Sequence, residues 1–194
     1  MTTTTAPAPA SAPDVVASAL RRLYFVRFGF ALLWAVALFS TASSIGPVSA
    51  TLLVIYPLFD VVAAVVDARS SRASRSAPGL YVNMAISGLA AVGLAFAGAS
   101  GIPGVLRVWG AWAVTAGLVQ LIVAVRRREL GGQWAMIASG GISVLAGLSF
   151  LRQAGAPDPS LSSLAGYALL GGIFFLVSAL RLRRNASRSL GDGN

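Results

Sequence analysis

Residues 53–69 read LVIYPLFDVVAAVVDAR, an apolar run with a carboxylate, Asp60, in its middle and the charged pair Asp67 and Arg69 at its end. The design returns at 112–128, WAVTAGLVQLIVAVRRR, and at 167–184, YALLGGIFFLVSALRLRR. From the aromatic to the first following arginine is 13 positions in the first copy and 14 in the other two. A helix needs about 20 apolar residues to cross a hydrocarbon core of about 30 Å. Runs of this length, each stopped by positive charge, therefore restrict the chain to helices packed in a bilayer. Composition closes the soluble route. Only 11% of residues are charged and 56% are hydrophobic, where a soluble domain carries about 25% charge. Too little polar surface is left to coat a water-soluble bundle.

The net charge is +9, and all 15 basic residues are arginine. In a soluble protein a pI near 11.6 would suggest nucleic acid. Here the arginines stand in short clusters beside apolar runs, which fits topology signals that meet lipid headgroups. The partner this implies is the lipid bilayer, with anionic lipid as a natural second role for the clusters; nucleic acid is not expected, and homo-oligomers remain open. The lack of Lys and the abundance of Ala suggest a GC-rich bacterial genome. With no Cys and no His, disulfides, thiolate metal sites and the commonest general base are all missing. No Ser/His/Asp set, HExxH or Walker loop appears. The expectation is no catalytic residue, no metal, no cofactor and no enzyme.

Taken in order, residues 1–13 are Thr, Ala and Pro of low complexity and predict a disordered tail. Asp14 to Arg22 reads as a short interfacial helix, so residues 1–20 form a tail and 21–185 the membrane domain. Spanning helices are predicted at about 23–43, 48–66, 80–98, 105–125, 134–151 and 163–182, and a basic polar tail at 186–194. Pro57 falls in the middle of the second helix. The third carries small residues every fourth position, Ser87, Ala91, Ala95 and Ala99, and the fifth carries Ser139, Ser143 and Gly147; such ladders let helices approach closely in lipid. The predicted fold is all-α, a polytopic membrane protein of six transmembrane helices arranged as three repeated helical hairpins (about 23–66, 80–125 and 134–182).

Arginine counting sets the orientation. Arg21 and Arg22; Arg69, Arg72 and Arg75; Arg126, Arg127 and Arg128; and Arg181, Arg183, Arg184 and Arg188 all fall on one side, 12 of 15. Positive residues mark the cytoplasm, which puts both termini there, in a bacterial inner membrane. Arg27 and Arg107 lie within helix ends, and Arg107 either snorkels to headgroups or meets Asp158. Most of Tyr24, Trp34, Tyr81, Trp109, Trp112 and Trp134 fall near helix ends and read as an interfacial belt.

The odd helices align on Gly29, Gly88 and Gly141, and the even ones on Tyr56, Trp112 and Tyr167. These are parallel repeats of roughly 55 residues, unlike inverted repeats. A pseudo-threefold ring and a sequential row of hairpins both fit. Arg27-Phe28-Gly29 and Tyr56-Pro57-Leu58-Phe59-Asp60, with Tyr167-Ala168-Leu169-Leu170-Gly171-Gly172-Ile173 as a second copy and Trp112 to Gly117 as a looser third, resemble the short-repeat membrane domain of the HdeD-like acid-resistance proteins. The resemblance covers about residues 20–185. It implies a six-helix inner-membrane protein linked to acid or envelope stress. Ala116 and Gly171 stand where that pattern has Asp.

One polar layer stands out. By helical rise, Arg27 lies about 6 Å inside the first helix and Asp60 about 9 Å from the end of the second. Both sit at similar depth on neighbouring antiparallel helices. An unpaired charge there costs about 2.5–3.5 kcal/mol on insertion scales, so the two are expected to pair. Asn83 and Gln120 are expected to join them. The pair reads either as a clamp that fixes helix register or as a protonatable switch. Two functions follow: a structural or stress-linked membrane component, and a small transporter or channel that uses the Arg27/Asp60 layer.

Overall fold

The computed structural model describes residues 12–70, 78–126, 128 and 134–191, with side chains over 18–69, 78–126, 128 and 134–183. The described residues are all-helical: α1 Ala12–Phe39, α2 Pro47–Ser70, α3 Pro78–Ala97, a 3-10 turn Gly98–Ser100, α4 Gly101–Arg126, α5 Trp134–Gln153 and α6 Ser162–Gly191. Five helical stretches among them are long and apolar enough to cross a membrane: Ser18–Phe39, Pro47–Arg69, Pro78–Arg126, Trp134–Gln153 and Ser162–Arg183. The outward surface agrees with them. Leu33 is 73% exposed and Phe96 75%, on apolar faces that water would cover only at a penalty.

Local chemistry explains the helix ends. Proline opens α2 and α3, where its fixed φ suits a first turn and its missing N–H is not needed. The 49-residue stretch Pro78–Arg126 doubles back at Gly101, whose φ of 72° lies in the region that favours glycine. The reversal is tight: a Cβ on Gly104 would stand 2.7 Å from the Ser100 side chain and 2.9 Å from the Ala97 carbonyl oxygen. At the same end the Leu161 N–H donates to the Ala42 carbonyl at 3.1 Å, which ties two loops together.

The helices pack in three close pairs, α4 on α5, α1 on α6 and α2 on α3; α3–α4 and α1–α2 are looser, and α5–α6 touch lightly. Because α1 lies along α6, the helix order closes into a ring. Close approach rests on missing side chains. Gly110 and Gly117 of α4 meet Gly147 and Gly140 of α5, two antiparallel glycine pairs a heptad apart, the small-residue contact that helices use in lipid. In the α1–α6 pair, Gly172 rests on Ala31 and Phe28.

Several sequence expectations change here. α1 is one continuous helix from Ala12, so the segment from Asp14 to Arg22 is not a separate interfacial helix, and residues 12–20 are helical; residues 1–11 lie outside the described part. α6 stays helical to Gly191, through most of the expected tail. The fourfold ladder of α3 is buried only at Ser87 and Ala91; the buried face is completed by Ala90, Leu94 and Ala97. A four-residue step overshoots a 3.6-residue turn by about 40° each time, which carries Ala95 and Ala99 out to the surface. Trp34, Trp109 and Trp112 are buried in the core and form no belt, whereas Tyr81 and Trp134 are exposed.

Candidate functional site

The core is thickest where α1, α2 and α4 turn aromatic side chains inward. Trp34 and Trp109 stack with centroids 5.3 Å apart. Trp112 meets Trp109 edge-on at 5.3 Å, and Tyr56 leans on Trp34 at 4.5 Å and on Trp112 at 6.2 Å. The Trp34 indole N–H donates to the Leu52 carbonyl at 2.7 Å. Trp109 is fully buried, and its indole N–H finds no acceptor among the described residues.

On this platform sits a polar cluster centred on Asp60. Arg27 Nη2 donates to Asp60 Oδ1 in an ion pair. Asp60 Oδ2 accepts from Asn83 Nδ2 at 2.8 Å and from the Ser87 hydroxyl at 2.9 Å. Ser87 in turn accepts from Trp112 Nε1 at 3.2 Å. On its other side the Arg27 guanidinium lies over the Phe175 ring, 4.2 Å from the centroid, a cation–π contact. One carboxylate thus gathers side chains from α1, α2, α3 and, through Ser87, α4, while Phe175 adds α6.

The directions of these bonds follow from chemistry. An indole can only donate and a carboxylate can only accept, so Ser87 must spend its single proton on Asp60 and offer a lone pair to Trp112. The cluster is net neutral and its carboxylate oxygens are occupied by donors, the condition under which buried charge is tolerated. Arg27 and Asp60 stand level with each other on the antiparallel helices α1 and α2. Arg27 and Asp60 side chains are 17% and 15% exposed.

Of the four residues expected in the layer, the structure joins Arg27, Asp60 and Asn83. Gln120 forms no hydrogen bond to them among the described residues. Trp112 is the α4 residue level with Asp60, and Gln120 lies eight positions farther on, about 12 Å along the axis. Ser87, Trp112 and Phe175 are members the sequence reading missed. Ser87 had a signal, since it stands one helical turn after Asn83 on the same face; the other two had none beyond their apolar faces.

Comparison with protein-family models, curated proteins and solved structures finds no match. The arginines are placed by the fold alone. The antiparallel course sets Arg69, Arg126, Arg128, Arg181 and Arg183 at one end of the bundle, with Arg21 and Arg22 on α1 toward the same end. Arg107 and Arg152 lie at the other end, and Arg107 makes no ion pair with Asp158 among the described residues. Arg72, Arg75 and Arg127 lie outside the described residues, as does the side chain of Arg184.

Proposed function

We propose that this chain is a non-enzymatic, multi-pass helical protein of the bacterial inner membrane, structural or linked to acid or envelope stress in the manner of the HdeD-like proteins it resembles. In this reading α1 to α6 each cross the bilayer, the long stretch crossing twice about Gly101, as three repeated hairpins with both termini cytoplasmic. The carrying observation is the saturation of Asp60. Its carboxylate accepts from Arg27, Asn83 and Ser87, so the group fastens helices instead of standing free to react. The repeat draws support from shared environments. The aligned aromatics Tyr56, Trp112 and Tyr167 all pack in or against the core, and the aligned glycines Gly29, Gly88 and Gly141 all have open space where a Cβ would stand.

A second reading, a small transporter or channel, draws on the partial exposure of Arg27 and Asp60. Against it stands the apolar seal toward the other end, where Leu38, Leu53, Val105, Leu106, Leu161 and Leu164 are fully buried. The test is a deletion strain complemented with wild type or Asp60→Asn and challenged with acid and envelope stress, beside reporter fusions at both termini. Stress sensitivity rescued by wild type, with cytoplasmic reporters, supports the proposal. Normal survival of the deletion strain, or a reporter active on the outer side, overturns it.

A further inference from the structure

We infer that the outward face of α4 at the arginine-rich end binds an anionic phospholipid, with an acyl chain on Leu118, Leu121, Ile122 and Val125 and its phosphate held by Arg126 and Arg128. The inference rests on the membrane reading above. Leu121, Ile122, Val125 and Arg126 line a concavity of about 420 Å³. Leu121 forms its inner wall, since it packs where a Cβ on Gly140 of α5 would fall, 2.9 Å away. Leu118, Ile122 and Val125 are exposed along the same side of α4. From Leu118 to Arg126 is eight residues, about 12 Å of helix, which fits within one leaflet of a hydrocarbon core about 30 Å thick. The concavity runs from Leu121 to Arg126, with exposed Leu118 one turn before it on the same side, and ends on a cation.

Charge at its mouth selects the headgroup. Arg126 and Arg128 are exposed, and neither is in an ion pair among the described residues. A guanidinium grips phosphate oxygens in a two-pronged geometry that an ammonium lacks. At the same end Trp134 opens α5 and is 80% exposed, the position of an interfacial anchor. A zwitterionic lipid would satisfy the groove but leave the extra positive charge unmatched, so the site is expected to prefer phosphatidylglycerol to phosphatidylcholine.

The experiment is native mass spectrometry of the full-length protein in neutral detergent, titrated with phosphatidylglycerol or phosphatidylcholine of identical chains. Each arginine near an anionic headgroup is worth roughly a fivefold change in binding. Arg126→Gln with Arg128→Gln should therefore weaken phosphatidylglycerol binding roughly tenfold or more, weaken phosphatidylcholine less, and so erase most of the preference between them. Ile122→Trp, which fills the groove, should weaken both lipids alike. All these positions are exposed, and an unchanged melting temperature identifies folded variants. Equal binding of the two lipids by wild type, or an equal loss from Arg22→Gln with Arg181→Gln at the same end, overturns the site in favour of diffuse charge. Competition by glycerol 3-phosphate as effective as the whole lipid overturns the acyl seat. Release of the protein from membranes by alkaline carbonate would sink the membrane reading itself, whereas retention without lipid preference sinks only this inference.

Discussion

The Ser87 hydroxyl donates to Asp60 Oδ2 at 2.9 Å while it accepts the Trp112 indole N–H at 3.2 Å. A single small side chain therefore connects the ion pair of α1 and α2 to the aromatic core of α4. Ser87 is fully buried, so no water replaces its oxygen if it is removed. Ser87→Ala leaves a buried indole donor without an acceptor, which costs about 1–3 kcal/mol. The detergent-solubilised variant is expected to melt below wild type. Adding Trp112→Phe to Ser87→Ala should cost less than the two single changes summed, because the orphaned donor goes with the ring. Strict additivity in that cycle would mean that the bond contributes nothing.

Asp60→Asn removes the carboxylate charge paired with Arg27. The guanidinium is then left inside the helix bundle with a neutral amide and the Phe175 ring, and an uncompensated cation within a membrane helix costs roughly 3 kcal/mol. Lower membrane yield and a lower melting temperature are expected. The double variant Arg27→Met with Asp60→Asn should recover much of the loss, since replacing a buried pair with apolar or neutral groups is often close to neutral. A double variant less stable than Asp60→Asn alone would refute the clamp.

Gly110 and Gly147 differ sharply from Gly141 although all three lie in the α4–α5 hairpin. A Cβ on Gly147 would stand 2.7 Å from the Gly110 carbonyl oxygen and 2.8 Å from both the Val114 side chain and backbone nitrogen, whereas one on Gly141 meets nothing within 4 Å. Gly147→Ala must push two backbones apart and is expected to cost about 1–3 kcal/mol. Gly141→Ala gains helix propensity of up to about 1 kcal/mol and should be neutral or stabilising. Thermal melts of the two variants side by side check this, and equal melting temperatures would contradict the packing described.

Much of this was legible in the sequence because a bilayer simplifies the problem. Apolar run lengths located the helices, and the position of Arg27 and Asp60 on neighbouring runs pointed to their pairing, since an isolated charge at that depth is so costly. What stayed hidden depends on helix rotation. Trp34, Trp109 and Trp112 resemble belt residues by position, and only the facing of α1 and α4 buries them. Facing also separates Gln120 from the cluster and brings in Ser87, Trp112 and Phe175. The tight helix pairs were hidden for a different reason. The hairpins expected from the sequence join α1–α2, α3–α4 and α5–α6, but the closest packing joins α2–α3, α4–α5 and α6–α1, offset by one helix from that expectation. Periodicity along a chain carries no information about which neighbour a helix prefers.

The α6–α1 pair gives the most direct test of that ring, because no loop connects it. A Cβ on Gly172 would lie 3.1 Å from the Ala31 Cβ, a few tenths of an ångström inside the roughly 3.5–4.5 Å that a disulfide spans between Cβ atoms. The chain has no cysteine of its own, so Ala31→Cys with Gly172→Cys introduces the only two thiols. Oxidation is expected to join the first and last helices covalently. After proteolysis between α3 and α4, the two halves should then migrate as one band that reductant splits. Gly29→Cys with Gly172→Cys is the control, since Gly29 faces open space. A row of hairpins that did not close would leave α1 and α6 apart, and neither variant would then cross-link within one chain.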